Sequence, residues 1–108
     1  MAEEAIVKII RKYIEKLNST GILIDKGILF GSYSKGNSNS NSDIDLVVVS
    51  PIFDKEYSLS DVESLWEIAA KIDSRIEPIH CGVIQWERDD SSIIIEIARR
   101  EGVVIHAA

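Results

Sequence analysis

The feature that most constrains this chain is an apolar run at residues 44–49, in which Asp45 is the only polar residue. A strand with four consecutive apolar residues, Leu46 to Val49, has no polar face and must be covered on both sides. Strands of this kind lie in sheets that carry helices on each face. The run therefore predicts a small central sheet between helices, and Ser50-Pro51 ends the strand.

The first half of the chain supplies a helix, a short strand and a loop. Apolar residues at three- and four-residue spacing predict a helix over residues 3–18, and Gly21 is placed to cap it in a left-handed conformation. Residues 26–30 predict a short buried strand. Residues 36–42 contain only Gly, Asn and Ser, which cannot form a core, so this segment is predicted to be a loop.

The second half alternates between helices and strands. Residues 60–63, Ser-Asp-Val-Glu, form a capping box that predicts the start of a helix, and residues 76–86 alternate loosely, as a third strand does. A cap at residues 89–91 predicts another helix, which Gly102 ends before a short strand at residues 103–105. The whole order predicts an α/β (α+β) fold in which helices flank a small mixed sheet.

Length, charge and cysteine usage limit the classes of protein to which the chain can belong. Its 108 residues predict one domain, residues 1–108. The net charge of −6 and a single basic cluster, Arg99-Arg100, argue against direct binding to nucleic acid. No apolar run approaches roughly 18 residues and no signal-peptide pattern starts the chain, so we expect a cytoplasmic protein that does not span a membrane. Cys81 is the only cysteine, and we expect it in the core rather than in a disulfide.

Asp43 and Asp45 stand at the start of the central strand and are candidates for a metal site. Residues i and i+2 of a strand point to the same face, so these carboxylates lie side by side while Ile44 faces the core. Adjacent carboxylates repel each other and favour a cation between them, and Mg²⁺ or Mn²⁺ suits an all-oxygen site. The alternative is that the two acids only cap a strand where it emerges into solvent.

The turn at Gly31-Ser32, eleven residues upstream, favours the metal site. Gly31 follows a buried strand, where a glycine allows close backbone approach to a ligand or a positive φ angle. Ser32 adds a hydroxyl, and backbone amides at such a turn can hold phosphate oxygens. Lys35 either contacts a phosphate tail or is a surface charge, and the sequence leaves both interpretations open.

Two other ligand-binding motifs are excluded by their missing residues. Gly31 and Gly36 have the spacing of a P-loop, but Asn37 stands where that loop requires Lys. Residues 39–43 have the spacing of a calcium loop, but Ile44 stands where that loop requires Gly. A phosphate site here must therefore take most of its positive charge from bound metal.

Two segments of the chain together resemble the signature of a known superfamily. Residues 30–36 are Phe-Gly-Ser-Tyr-Ser-Lys-Gly, and residues 42–48 are Ser-Asp-Ile-Asp-Leu-Val-Val. This two-part pattern resembles the DNA polymerase beta-type nucleotidyltransferase superfamily, and it looks most like the minimal nucleotidyltransferase branch. The resemblance extends over nearly the whole chain, although only residues 29–49 are strongly diagnostic. It implies a polymerase-beta-like nucleotidyltransferase fold.

The resemblance also implies a catalytic site built from three carboxylates and two metal ions. Asp43, Asp45 and Glu77 match the family's catalytic and metal-binding acids, with Asp73 as the alternative for the third position. The implied cofactor is Mg²⁺, as two ions, with Mn²⁺ as a substitute. The implied nucleotide-binding residues are Gly31, Ser32, Lys35 and Ser42.

By the same resemblance, we expect the chain to move a nucleotidyl group, AMP from ATP, to a hydroxyl of an acceptor. Minimal members often work with a helical HEPN-type protein in toxin–antitoxin-like pairs, so that partner is the expected acceptor. Two alternatives stay open: a non-catalytic antitoxin subunit that masks such a partner, and a structural domain that binds no nucleotide. The acceptor, the nucleotide preference and the type of oligomer, homo- or hetero-, also stay open.

Overall fold

The computed structural model describes residues 3–31, 33, 42–88 and 92–106, and these residues combine helices with one sheet. In chain order the elements are helix α1 (Glu4–Ser19), strands β1 (Lys26–Phe30) and β2 (Ile44–Val49), a 3-10 helix (Pro51–Asp54), helix α2 (Leu59–Ile72), strand β3 (Ile76–Cys81), helices α3 (Val83–Arg88) and α4 (Ile93–Glu101), and strand β4 (Val103–Ile105). The predicted α/β class is confirmed. None of the described helices is long and apolar enough to cross a membrane.

The strands form one mixed sheet in the order β3-β2-β1-β4. β1 runs antiparallel to β2 and to β4, whereas β2 and β3 are parallel, with helix α2 in the crossover between them. This pairing gives Asp45 a neighbour on each side: Phe30 of β1 and Glu77 of β3. The predicted small mixed sheet is confirmed, and β2 lies inside it.

β2 is covered on both faces, which confirms the prediction made from its apolar run. On one face Leu46 packs in a cluster with apolar residues of α1 and α2. On the other face Val47 packs with Ile95 and Ala98 of α4, and Cys81 is buried in the same cluster, as expected. The buried residues of β2 are Ile44, Leu46 and Val48 on the first face, and Val47 and Val49 on the second.

The connection between α1 and β1 follows its predicted geometry. Gly21 has a φ of +97°, which confirms the left-handed conformation expected after the helix. Asn18 then accepts the backbone N–H of Ile24 through Oδ1 over 2.8 Å, which directs the chain towards the sheet. The predicted loop at residues 36–42 lies outside the described residues, apart from Ser42.

The N-cap of α2 lies two residues before the capping box predicted at residues 60–63, so that prediction was wrong. The structure forms the box between Ser58 and Asp61, where the backbone N–H of Ser58 donates to Asp61 Oδ2 over 3.0 Å. Ser60 lies inside the helix, and its carbonyl oxygen accepts from the hydroxyl of Ser64 over 2.9 Å. Serines 58 and 60 both precede acidic residues at capping-box spacing, and the pattern alone does not distinguish them.

The strand predicted at residues 76–86 was wrong beyond Cys81, where β3 ends. Helix α3 begins after Gly82, and the carboxylate of Asp54 caps it by accepting the backbone N–H of Ile84 over 3.0 Å. A Cβ at Gly82 would collide with that carboxylate. The capping group comes from a distant part of the chain, so the local pattern could not reveal this helix.

The last two elements agree with the sequence. Ser92 caps α4, since its hydroxyl accepts the backbone N–H of Ile95 over 3.4 Å. The cap predicted at residues 89–91 lies outside the described residues. Gly102 follows α4, and β4 at Val103–Ile105 confirms the predicted last strand.

Candidate functional site

The parallel pairing of β2 and β3 brings two carboxylates together. Asp45 and Glu77 are direct Cα partners in the register of these strands. Because side chains alternate along a strand, both lie on the sheet face that α4 covers, the face of Val47 and Cys81. Asp43 lies two residues before Asp45, at the exposed start of β2. The structure thus gathers Asp43, Asp45 and Glu77 where two parallel strands begin.

The carboxylates of Asp45 and Glu77 are half-buried, and each influences the pKa of the other. Burial raises the pKa of both groups, and the negative charge of Asp43 raises both pKa values further. The interaction between the two carboxyl groups lowers the pKa of Asp45 and raises that of Glu77, but burial is the largest influence on both. A bound cation would favour the charged forms of these groups.

The donor atoms of this cluster suit Mg²⁺. Among the described residues, no Lys or Arg forms an ion pair with Asp43, Asp45 or Glu77. Within residues 3–31, 33, 42–88 and 92–106, no group of three or more His, Cys, Asp or Glu side chains is placed so that it could hold a metal ion. Mg²⁺ does not require one, since it commonly binds one or two carboxylates, water and the phosphates of a substrate. The cluster fits the protein's share of such a site.

Gly31 brings the backbone at the end of β1 against Asp45. Its φ is +76°, so the positive φ expected at this glycine is confirmed. A Cβ at Gly31 would collide with Oδ2 of Asp45, and only glycine permits this approach. Gly31 therefore lies directly beside the carboxylate of Asp45.

Asp73, the alternative third acid, is paired with a cation instead. Arg75 donates to it through Nε over 3.0 Å and through Nη2 over 2.7 Å. The bonds from Arg75 are the largest influence on Asp73 and lower its pKa, and the same pairing raises the pKa of Arg75. The structure places Glu77, and not Asp73, beside Asp45.

Two residues that the sequence did not single out, Tyr33 and Arg75, contact each other, and Arg75 also contacts the start of β2. Arg75 donates through Nη1 to the hydroxyl of Tyr33 over 2.9 Å, and its carbonyl oxygen accepts the backbone N–H of Ile44 over 2.8 Å. Tyr33 stands inside the signature segment, but its partner is 42 positions away. No local pattern in the sequence signals a contact over that separation.

The predicted nucleotide-binding residues are only partly described. Gly31 and Ser42 are half-buried, and each lies next to a carboxylate: Gly31 contacts Asp45, and Ser42 precedes Asp43 in the chain. Ser32 and Lys35 lie outside the described residues, so their roles stay predictions.

Comparison with protein families matches residues 7–102 to the family described as the nucleotidyltransferase domain. The match covers most of the chain and includes every candidate site residue. No curated protein matches the chain.

Several solved structures share the fold. A protein from Sulfolobus solfataricus described as a candidate nucleotidyltransferase has a TM-score of 0.61 and 19% identity, over 91% of this chain and 77% of that one. A toxin–antitoxin structure with AMP-PNP has a TM-score of 0.62 and 23% identity, over 91% and 73% of the two chains. A variant of the toxin–antitoxin MntA-HpeT has a TM-score of 0.60 and 22% identity, over 90% and 71%. Likeness at these identities shows a common fold.

Proposed function

The chain belongs to the nucleotidyltransferase domain family, and from that premise we propose that it transfers AMP from ATP to a hydroxyl of an acceptor, with Mg²⁺ as cofactor. One observation carries the proposal: parallel strands hold the half-buried carboxylates of Asp45 and Glu77 side by side, close to the charge of Asp43. No described Lys or Arg forms an ion pair with these acids, so the cluster costs stability, and a bound metal ion would offset that cost.

In this proposal Asp43 and Asp45 hold two Mg²⁺ ions, and Glu77 binds on the acceptor side. Mg²⁺, when bound, neutralises the triphosphate and stabilises the attacking and leaving oxygens at the α-phosphate. The chain carries a net charge of −6, so its carboxylates would repel ATP unless a divalent cation lay between them. Mn²⁺ has a similar preference for oxygen ligands and is expected to substitute.

Glu77 is suited to accept the proton of the acceptor hydroxyl. Glu77 lies beside Asp45 in the register of β2 and β3, and its carboxylate can act as a general base on the acceptor side. We expect Glu77→Gln to slow AMP transfer at saturating ATP more than it weakens ATP binding. Rates of transfer and a separate titration with ATP would measure the two effects.

The turn after β1 is the proposed phosphate-binding element. Backbone N–H groups at a glycine turn can converge on an anion, and Gly31 sets that turn against Asp45. Ser32, Lys35 and Ser42 complete the proposed set because they occupy the matching positions of the family signature. Their hydroxyl and ammonium groups would donate to the β- and γ-phosphates.

We extend the proposal to a partner protein, because toxin–antitoxin structures, one of them with AMP-PNP, share this fold. The proposed partner is a helical HEPN-type protein, and the proposed acceptor is one of its side-chain hydroxyls. The test is to incubate the two purified proteins with α-labelled ATP and Mg²⁺. We expect label and one added AMP mass on the partner, and no label with Asp43→Asn/Asp45→Asn.

A second candidate function is masking of the partner without catalysis. One observation favours it: Ile93, Ile94 and Ile97 of α4 are 78%, 47% and 37% exposed, and exposed apolar side chains on one helix suit a protein interface. Asp43→Ala in cells that contain the partner separates the two functions. A masking subunit keeps its protective effect in this variant, whereas an AMP transferase loses it.

The first experiment is thermal melting in Mg²⁺, with and without ATP. A ligand at a hundred times its dissociation constant adds about 2.7 kcal/mol to the free energy of unfolding. We expect that shift for the wild type and no shift for Asp43→Asn/Asp45→Asn. The matched control is Glu63→Gln/Glu67→Gln, which removes two exposed carboxylates of α2 and should keep the full shift. No Mg²⁺-dependent shift in the wild type would contradict the proposal.

A further inference from the structure

A row of polar contacts joins the segment after Gly31 to the start of β3. The guanidinium of Arg75 donates to the Tyr33 hydroxyl over 2.9 Å, and it donates to both carboxylate oxygens of Asp73 over 3.0 and 2.7 Å. We call Tyr33, Arg75 and Asp73 the Arg75 bridge. It spans 42 positions of sequence and connects two segments that no strand pairing joins directly.

Both ends of the Arg75 bridge are firmly held. Tyr33 is 2% exposed and packs in the cluster formed with α1 and α2. The side chains of Arg75 and Asp73 are 28% and 17% exposed, so their ion pair is partly withdrawn from water. Asp73 Oδ1 also accepts the backbone N–H of Arg75 over 2.9 Å. Charged hydrogen bonds in such surroundings fix geometry more strongly than neutral ones.

The two ends of the bridge are close in sequence to residues of the candidate site. Tyr33 lies two residues after Gly31, whose backbone approaches Asp45. Arg75 lies two residues before Glu77, and its carbonyl oxygen accepts the N–H of Ile44, which stands between the two aspartates. The contact between Tyr33 and Arg75 thus links the segment that contains Gly31 to the segment that contains Glu77.

We propose that Arg75 is a positioning residue: by holding Tyr33, it fixes the turn at Gly31 at the distance from Asp45 and Glu77 that ATP requires. This inference rests on the proposed function, because it assigns the ATP phosphates to that turn and the metal ions to those acids. Arg75 acts through Tyr33 on the turn, and the carboxylates carry the chemistry. The planar guanidinium of Arg75 donates to Asp73 and to Tyr33 at the same time, and the single ammonium group of a lysine cannot do this with the same geometry.

The sharpest test compares two buried tyrosines, each of which loses only its hydroxyl. Tyr33→Phe removes the group that Arg75 contacts and leaves the ring in the core. Tyr13→Phe is the matched control: Tyr13 is 0% exposed, and its hydroxyl donates to the carbonyl oxygen of Leu65 over 2.8 Å, which links α1 to α2. The readout is the dissociation constant for ATP in saturating Mg²⁺, measured by calorimetric titration.

We expect Tyr33→Phe to raise that dissociation constant about 10-fold, which is the loss of roughly 1.4 kcal/mol and typical of one hydrogen bond to a charged group. Tyr13→Phe should leave it within twofold of the wild type. Both variants should melt at a lower temperature than the wild type without nucleotide, because each loses a buried hydrogen bond. A purely structural bond between Tyr33 and Arg75 would give the two variants the same affinity for ATP.

Substitution of Arg75 supplies a second measurement. Arg75→Met should weaken ATP binding at least as much as Tyr33→Phe, Arg75→Lys should recover part of the loss, and the double variant should equal Arg75→Met alone. Arg99→Lys is the control, since Arg99 is also partly buried and bonds Glu96 and Trp86 instead. It should bind ATP as the wild type does.

The outcomes separate this inference from the proposed function. A wild type that binds ATP through Asp43 and Asp45, with Tyr33→Phe and Arg75→Met equally tight, overturns the inference alone. A wild type without Mg²⁺-dependent binding of ATP overturns the proposed function, and the inference falls with it. Weakened binding in Tyr33→Phe and Arg75→Met, with both control variants unchanged, supports both.

Discussion

Two sets of acidic residues near the start of β3 differ in what balances their negative charge: Asp73 by itself, and the pair Asp45 and Glu77. Asp73 receives two hydrogen bonds from the guanidinium of Arg75, and this pairing lowers its pKa. Asp45 and Glu77 have each other and Asp43 for neighbours, and burial and these charges raise their pKa values. Among the described residues, Arg75 balances the charge of Asp73, whereas no Lys or Arg forms an ion pair with Asp45 or Glu77. The pairing of Asp73 with Arg75 stabilises the fold, whereas the repulsion among Asp43, Asp45 and Glu77 costs stability, which a metal ion would return if it binds as proposed.

The largest expected effect comes from replacing one acid of each set with asparagine, because the two substitutions should change the stability of the free protein in opposite directions. Asp45→Asn should weaken Mg²⁺-dependent binding of ATP by more than the roughly 10- to 100-fold that outer-shell partners of a metal cost. The same change should raise the melting temperature of the free protein at pH 7, because it removes a repelled, half-buried charge. Asp73→Asn should lower it, since Arg75 loses its anion.

Calorimetric titration with ATP and thermal melting without metal check this pair of variants. A lower melting temperature for Asp45→Asn than for the wild type would contradict this prediction, because the charge of Asp45 would then stabilise the metal-free protein.

The next largest effect is expected from a substitution that displaces the Asp45 side chain without changing its charge. Gly31→Ala places a Cβ against Asp45 Oδ2 at a φ of +76°, so we expect loss of ATP binding and a cost of about 2–4 kcal/mol in the free energy of unfolding. Gly21→Ala is the matched control: its φ is +97°, and nothing lies within 4 Å of the added Cβ. Only the backbone cost, about 1–2 kcal/mol, should remain there.

Urea denaturation and titration with ATP measure both glycine variants. Equal losses at the two positions would show that the contact between Gly31 and Asp45 has no role.

A smaller effect comes from Mg²⁺ without nucleotide. At ten times its dissociation constant, Mg²⁺ should add about 1.4 kcal/mol to the free energy of unfolding of the wild type. Asp73→Asn should gain the same increment, because Asp73 is already paired, and Asp45→Asn should gain little. Thermal melting against NaCl of equal ionic strength controls for screening. A full gain in Asp45→Asn would place the ion elsewhere.

The smallest expected effect is a dependence of stability on pH with opposite signs for the two groups. The folded-state pKa values of Asp45 and Glu77 are raised, so their contribution is present below the unfolded pKa and is lost as pH rises through the folded pKa. The pKa of Asp73 is lowered, so its contribution is present above the unfolded pKa and is lost as pH falls through the folded pKa.

Melting curves recorded without metal from acidic to neutral pH test these signs. Glu77→Gln should flatten the decline at higher pH, and Asp73→Asn should flatten the decline at lower pH. Identical dependence of the melting temperature on pH in Glu77→Gln and Asp73→Asn would contradict the opposite pKa shifts of these two residues.

Most of the fold could be predicted because its signals are local. The spacing of apolar residues in α1, the four apolar residues of β2 and the glycine after α1 each concern neighbours in the chain. These features are confirmed. One error, the N-cap of α2, occurred because Ser58 and Ser60 have the same local pattern. The other, the strand predicted beyond Cys81, occurred where a distant group decides the local structure. Helix α3 forms after Gly82 because Asp54, 30 positions before Ile84, caps its first turn.

In the candidate site, too, some residues could be predicted from local spacing and others could not. The spacing of Asp43 and Asp45 follows from the strand period, and the structure keeps the two acids at the start of β2. Glu77 was assigned through the family resemblance, with Asp73 as the alternative for the third acid. Parallel pairing across the crossover of α2 puts Glu77 opposite Asp45, and the guanidinium of Arg75 occupies Asp73.

The sequence by itself determined the family signature, the two-sided burial of β2 and the need for glycine after β1, because each depends on residues within one segment. Only the tertiary structure decided which acid lies beside Asp45 and which tyrosine Arg75 contacts. These two results depend on the register of β2 and β3 and on a contact across 42 positions. The free energy of such contacts arises only when packing brings the segments together, so no local pattern encodes them.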